Sequence, residues 1–242
     1  ASCSSTGVSP ETRAVAFLAR EVPEWPARNR CFSCHNNGDG ARALLEARRN
    51  SFRFDPEALR STVDWLARPD RWKTAGPPGD ASDRRLAVLQ FAFALGSASE
   101  GEPAGPALLR ACELLAEFQE PDGSWAVDSG GLPGSPVTYG RTLATVAARS
   151  VLARGGTSFA GALGRAEAWL RGRAPVTVVE AAALLLGPAG PGQLEACLEL
   201  VRKGEAPGGG WGPYGTSPPE IFDTALVLLA LAPEAETRSC PR

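Results

Sequence analysis

Asp83-Arg84-Arg85-Leu86-Ala87-Val88-Leu89-Gln90-Phe91-Ala92-Phe93-Ala94-Leu95 is the stretch on which the fold turns. It opens at a capping residue and then carries apolar side chains nearly all the way round a helix, which predicts a buried helix over Arg84–Ser97. The pattern returns three times. Asp83, Gly140, Glu180 and Asp223 take equivalent places, followed by Leu86-Ala87-Val88-Leu89, Thr142-Leu143-Ala144-Thr145, Ala182-Ala183-Leu184-Leu185 and Ala225-Leu226-Val227-Leu228. The spacings, roughly 57, 40 and 43 residues, fall in the range of helical-pair repeats.

Between these starts lie helices of a second kind. Leu108–Phe118, Phe159–Arg171 and Gln193–Lys203 carry charge on one face and belong on the surface. Upstream, Ser9-Pro10-Glu11 caps a helix to about Arg20, and Val22–Arg30, with Pro23 and Pro26, reads as irregular. Ala41–Arg49 is helical, Asp55-Pro56-Glu57 opens a helix to about Ala67, and Pro69–Asp80 is a loop. No strand pattern is convincing. An inner ring of buried helices (Arg84–Ser97, Thr138–Ala153, Val176–Leu186, Pro219–Leu231) inside an outer ring is an all-α, α/α-toroid fold. Residues 1–55, an N-terminal helix and the segment that carries Cys31-Phe32-Ser33-Cys34-His35, then pack on a toroid repeat domain, 56–242, in one continuous structural unit.

Gln119-Glu120-Pro121-Asp122-Gly123-Ser124-Trp125 has the form Gln-x-x-x-Gly-x-Trp. It resembles the repeat of squalene and terpene cyclases and the related prenyltransferases. Gly210-Trp211-Gly212, followed by Phe222-Asp223-Thr224-Ala225, looks like a second copy without the glutamine. The resemblance covers about residues 84–232 and implies an α/α toroid in which Gln119, Trp125 and Trp211 brace loops against neighbouring helices. Joined to the upstream Cys-x-x-Cys-His, it is also similar to secreted bacterial repeat proteins. The cyclase chemistry does not carry over. No Asp-x-Asp-Asp acid cluster is present; Asp80-Ala81-Ser82-Asp83 has the wrong spacing and reads as a helix cap. The zinc ligands of the prenyltransferases are missing too, which weighs against an enzyme.

The chemistry-bearing motif is Cys31-Phe32-Ser33-Cys34-His35. Two thiols three residues apart and an adjacent imidazole are the c-type haem spacing: each thiol adds to a porphyrin vinyl group and the histidine takes the iron. His35 is the only histidine in the chain. A zinc site would need further ligands, and a redox pair would need a βαβ setting. A plain Cys31–Cys34 disulfide is the other alternative. Asn36-Asn37-Gly38-Asp39-Gly40 then reads as a turn with Asp39 as cap.

With no methionine and no second histidine, the iron of a single haem c has no strong sixth ligand within the chain. It is open, or closed by Lys73, Lys203, Tyr139, Tyr214 or the amine of Ala1, or served by a neighbouring protein. The first function class is a monohaem, cytochrome-like protein for electron transfer, as a subunit of a larger redox assembly, or a haem-based sensor of small gases. The second is a toroidal binding scaffold without haem. A peroxidase lacks its distal acid–base group.

Composition bounds the partners. Lys and Arg (25) nearly match Asp and Glu (27), which gives no electrostatic footprint for nucleic acid or a membrane surface. No apolar run reaches transmembrane length. Haem c is attached outside the bacterial cytoplasm, so the periplasm or the exterior is the expected compartment, where disulfides also persist. Cys3 and Cys240 would there staple the termini. Ala1-Ser2-Cys3 resembles the tail of a lipoprotein box, although a processed lipoprotein would begin at the cysteine itself; a lipid anchor or a partner is the route to a membrane. Cys112 and Cys197, within apolar helical patterns, read as buried small hydrophobes.

Overall fold

Helix starts in this chain follow capping chemistry. Ser9 accepts a hydrogen bond from Thr12 N at 3.2 Å, ahead of Pro10 at the first helical position. Thr177 accepts from Glu180 N at 3.1 Å while the Glu180 carboxylate accepts from Val176 N at 3.1 Å, so donor groups on both sides of that start are satisfied. The computed structural model describes residues 8–74, 84–127 and 140–239. Among them the protein is all-helical, with no strand. The chain divides into two compact units, Ala1–Glu117 and Phe118–Arg242.

The first unit holds α1 (Pro10–Asn29), a π-helical turn (Cys34–Gly40), α2 (Ala41–Arg49), α3 (Glu57–Leu66), a 3-10 turn (Pro69–Thr74), α4 (Arg84–Ala98) and α5 (Pro106–Glu117). α1 packs on α2 and α3, and α4 packs on α5 and on the π-helical turn. Val15 and Val22 of α1 meet Ala41, Leu44, Leu45, Ala47 and Leu59 in one apolar cluster. A second set of contacts is aromatic: Trp65 meets Phe91 edge-on at 4.4 Å, and Trp72 lies 5.9 Å from Phe91. Asp83, the sequence-read start of α4, lies outside the described residues.

Two expectations in this unit are corrected. α1 continues past Arg20 through Pro23 and Pro26 to Asn29 instead of becoming irregular. The segment after Cys34 is wound as a π turn capped by Ser33, not a turn capped by Asp39. Asn37 takes part in both, through hydrogen bonds described below.

The second unit holds α6 (Gly140–Arg154), a 3-10 turn (Thr157–Phe159), α7 (Ala160–Arg171), α8 (Val178–Leu185), α9 (Pro191–Gly204) and α10 (Ile221–Ser239). α6 packs on α7 and α8, α8 on α9 and α10. Burial sorts most helices as the sequence does. α4 is buried from Leu86 through Ala92 and α6 from Thr142 through Ala148, whereas α7 buries one stripe (Ala162, Ala166, Leu170), as does α9 (Cys197, Val201, Gly204). α10 departs from the expectation. Asp223, Leu226, Val227 and Ala230 are buried, but Ile221 is 92 % exposed and Leu228 and Leu229 are 56 % and 64 % exposed. Its packing is on α8 along one face, so an all-round apolar composition does not bring all-round burial here.

The glutamine and tryptophan loops have a definite bonding scheme. Gln119 Nε2 donates to Gly123 O and to Ala162 O, both at 2.9 Å, which ties the loop to α7. Gly123 has φ +95°, and a Cβ there would lie 2.4 Å from Arg165 O, so only glycine fits. Trp125 N donates to Thr145 Oγ1 at 3.1 Å, and Trp211 N donates to Thr224 Oγ1 at 2.9 Å. Each loop is thus hooked to a threonine on the helix that follows. Matching Thr145 with Thr224 registers the copies four residues, about one helical turn, away from the pairing of Gly140 with Asp223.

Asp223 is buried, and among the described residues neither of its carboxylate oxygens has a hydrogen-bond partner. Burial, with Glu220 close by, holds its carboxyl above the ordinary value of 3.8. The folded protein therefore binds that proton more tightly than the unfolded chain, and stability falls as pH rises from the ordinary aspartate range through the raised one. Asp223→Asn should remove this loss and stabilise the protein at neutral pH by about 1 kcal/mol or more. Urea unfolding at about pH 4 and pH 7 checks it: the variant should show the smaller drop between the two.

Candidate haem-attachment site

The site is built from a proline outward. Pro26 has no N–H, so the Val22 carbonyl one turn earlier in α1 has no helical donor at that position. Asn37 supplies one: its Nδ2 donates to Val22 O at 3.0 Å and to Thr62 Oγ1 of α3 at 2.8 Å. Its Oδ1 accepts from Ser33 N at 3.0 Å, and its own backbone N donates to Ser33 O at 2.8 Å. Asn37 and Thr62 are fully buried. One amide thus joins α1, α3 and the peptide between the two cysteines, with three of its hydrogen-bonding sites used.

The rest of the turn follows. Ser33 is extended, and its Oγ accepts from His35 N at 3.1 Å and Asn36 N at 3.2 Å, capping the helical segment. Ala41 N reaches back five residues to Asn36 O, the π register. Gly38 and Gly40 permit close approach: a Cβ would meet Gln90 Cβ at 3.3 Å and Val22 Cγ2 at 3.2 Å. Phe32, between the cysteines, stacks on Trp65 at 4.5 Å with the rings 12° apart. The inner face of the segment is therefore locked into the core through Phe32, Asn37, Gly38 and Gly40.

Phe32, Ser33, Asn36 and Asp39 stay half-buried, and His35 is the exposed residue of the segment. Both cysteines are half-buried and His35 is exposed. None of the four described cysteines is disulfide-bonded. Among the described residues no three His, Cys, Asp or Glu side chains converge as a metal-ion site. Donor chemistry and placement fit thioether attachment: two reachable thiols, an adjacent imidazole with solvent access, and a backbone held from behind. Asp39, on the same turn, is paired with Arg42 at 3.2 Å and hydrogen-bonded by Gln90 Nε2. Burial pushes its carboxyl above the ordinary range, against the opposing pull of Arg42 and His35. The Arg42 guanidinium lies 3.6 Å over the Phe93 ring.

Two of the sixth-ligand candidates, Lys203 and Tyr214, have described side chains, both in the second unit. Lys203 is exposed in α9 and paired with Glu199 at 2.6 Å. Tyr214 is exposed on a loop of the second unit. Tyr139, Ala1, Cys3 and Cys240, with the terminal disulfide proposed for the last two, lie outside the described residues, as does the side chain of Lys73. Cys112 and Cys197 are fully buried, and burial pushes the Cys197 thiol up to about 11, the inert state of a core cysteine.

No family model, no curated protein and no solved structure matches the chain. The site is thus read on its own chemistry. Sequence inspection missed Asn37, Thr62 and Gln90; the one available signal was Pro26, whose missing N–H calls for a donor elsewhere.

Asn37→Ala should cost about 2–4 kcal/mol, because it strands the buried Val22 carbonyl, the Thr62 hydroxyl and the Ser33 amide together. Asn36→Ala, one residue away and half-buried, where the backbone N–H rather than the side chain makes the bond to Ser33 Oγ, should cost less than about 1 kcal/mol. Urea midpoints of the two variants measure the difference.

Proposed function

We propose that this is an extracytoplasmic monohaem c-type protein that serves electron transfer as a subunit of a larger redox assembly. Cys31 and Cys34 would hold the haem through thioether bonds, and His35 would be the proximal iron ligand. The observation that carries the reading is the two-sided build of the motif. Its inner face is fixed by Asn37 and by the Phe32–Trp65 stack, while both thiols and the imidazole remain reachable. A haem bound there supplies a one-electron couple whose potential follows its axial ligands and surroundings.

The chain's own residues divide the remaining work. Ser33 and Asn37 close a hydrogen-bonded ring around the attachment peptide, which keeps thiols and imidazole in one register. Phe32 anchors that peptide to the α3–α4 aromatic cluster. No methionine or second histidine is available in the sequence, and Lys203 is occupied by Glu199. The sixth position is then open, closed by a weak ligand of the chain (Lys73, Lys203, Tyr139, Tyr214 or the amine of Ala1) or filled by a partner; an open or partner-filled position supports the assembly role. A gas-sensing role is the second reading and rests on the same open position. Haem c attachment places the protein in the periplasm or outside the cell. Among the described residues no helix is long and apolar enough to cross a membrane, and a lipid anchor or a partner remains the proposed route to one.

The α/α toroid belongs to the same proposal. The alternation of buried helices (α4, α6, α8) with single-stripe helices (α5, α7, α9), and the glutamine and tryptophan braces, favour it. In that frame the repeats are a docking scaffold and carry no cyclase chemistry.

The test is the visible spectrum of protein matured with haem-attachment machinery. A pyridine haemochrome of the c type, absent in Cys31→Ser/Cys34→Ser, together with a largely high-spin ferrous haem, is the expected result. A colourless wild-type protein contradicts the reading. A low-spin ferrous haem in the isolated protein contradicts the open sixth position. Tight carbon monoxide binding by a wholly high-spin haem favours sensing.

A further inference from the structure

The second unit leaves one face of α10 uncovered. Asp223, Leu226, Val227 and Ala230 are buried, and α10 packs on α8 along that side. The opposite side carries Ile221, Phe222, Ala225, Leu228, Leu229 and Ala232, all exposed. At about 100° per residue these six cover an arc of about 120°, the width of a core-facing stripe. No charge interrupts the stripe: Asp223 is the only charged residue from Ile221 to Ala232, and it is buried on the other side. With Ile221 92 % and Leu229 64 % exposed, the stripe leaves roughly 500–600 Å² of apolar surface in water, the upper end for the largest patch of a monomer.

The spacing within the stripe selects its occupant. Ile221, Ala225, Leu228 and Ala232 follow one another at intervals of four, three and four residues, the seam of a coiled coil. Large side chains (Ile221, Leu228) hold one set of seam positions, and alanines hold the other. In an antiparallel helix pair each set meets the opposite set of the second helix. Ile221 then faces Ala232 of a second copy, and Ala225 faces Leu228, so every large side chain meets a small one. A parallel pair would stack Ile221 on Ile221 and Ala225 on Ala225, with a gap at each alanine layer. The antiparallel pattern is the same read from either helix, the condition for a two-fold, self-complementary contact. We propose that α10 is the interface of an antiparallel homodimer, its exposed face covered by α10 of a second copy of this chain. Two copies bury about 1,000–1,200 Å² along the stripe, the lower end for a specific interface, which suits a reversible dimer. A lipid surface fits less well, because an interfacial helix sets Lys and Arg beside its apolar face, and residues 220–232 contain neither. The inference is independent of the haem reading.

Sedimentation equilibrium of the full chain tests this, with circular dichroism to check the fold of each variant. The wild type should pass from monomer to dimer with a Kd of about micromolar order. Ala225→Glu and Leu228→Arg, both at exposed positions, each set a charge against an apolar side chain of the second copy. Each alone should weaken the dimer about 30-fold or more. Mixed one to one, the two variants should associate again. The new carboxylate then faces the new guanidinium in one half of the interface, and the other half stays as in the wild type. Ile221→Ser, at the most exposed position of the helix, stands in if either charged variant fails to fold, and should also weaken the dimer. A wild type that stays monomeric overturns the proposal, and if it floats with phosphatidylglycerol vesicles the face is a lipid surface instead. A dimer that none of these variants weakens uses another face and overturns it too. Two folded, monomeric charge variants whose mixture stays monomeric overturn the antiparallel pairing, and the proposal with it.

Discussion

A proline without an N–H and an asparagine with two to give are the pair on which the first unit depends. Pro26 frees the Val22 carbonyl in the middle of α1, and Asn37 takes it. An unmet buried carbonyl costs about 1–3 kcal/mol, and Asn37 removes that cost for the part of α1 that runs through Pro26 to Asn29. The same amide reaches Thr62 and the backbone of Ser33. A local defect in one helix is thus used to fix a second helix and the peptide that carries Cys31 and Cys34. Rigidity at the motif comes from behind, through buried polar bonds, and leaves the front open for chemistry.

The second unit relies on a related device. Its irregular loops are held by side chains that bond to backbone carbonyls of the loops and of neighbouring helices. Gln119 Nε2 bridges Gly123 O and Ala162 O, and Gln193 Nε2 bridges Leu170 O at 2.7 Å and Arg173 O at 2.6 Å. Asp122 accepts from Ser124 N and Oγ and from Trp169 Nε1, and these donors with Arg141 hold its carboxyl below the ordinary range, the Ser124 hydroxyl first among them. Gly123 and Gly210, at φ +95° and +84°, make the turns that bring these groups together. None of this bonding calls for a catalytic role; it spaces helices and holds them apart at fixed distances.

How much of this was legible in the sequence depends on how local the cause is. Ser9-Pro10, Thr177 with Glu180, and the apolar runs of α4, α6 and α8 announce themselves, because caps and periodicity are read within one or two turns. The thiols and imidazole of the motif are legible for the same reason. What escaped needs contacts between residues far apart in the chain: Asn37 with Val22 and Thr62, and Gln90 with Asp39. Hence Val22–Arg30 reads as irregular from its prolines although it is helix, and Asp39 reads as a cap although it is an acceptor for Arg42 and Gln90. α10 failed in the opposite direction: composition reports what a helix is able to bury, and only its neighbours decide what it does bury. Asp223, buried without a donor among the described residues, belongs to the same class.

The central claim is that the locked turn exists to carry a covalent haem, and mass measures that most directly. Protein matured with haem-attachment machinery, exported, and weighed intact in denaturant should exceed the polypeptide mass by one haem. The excess should vanish when Cys31 and Cys34 are both replaced. A wild-type mass equal to the bare polypeptide under those conditions would contradict the account.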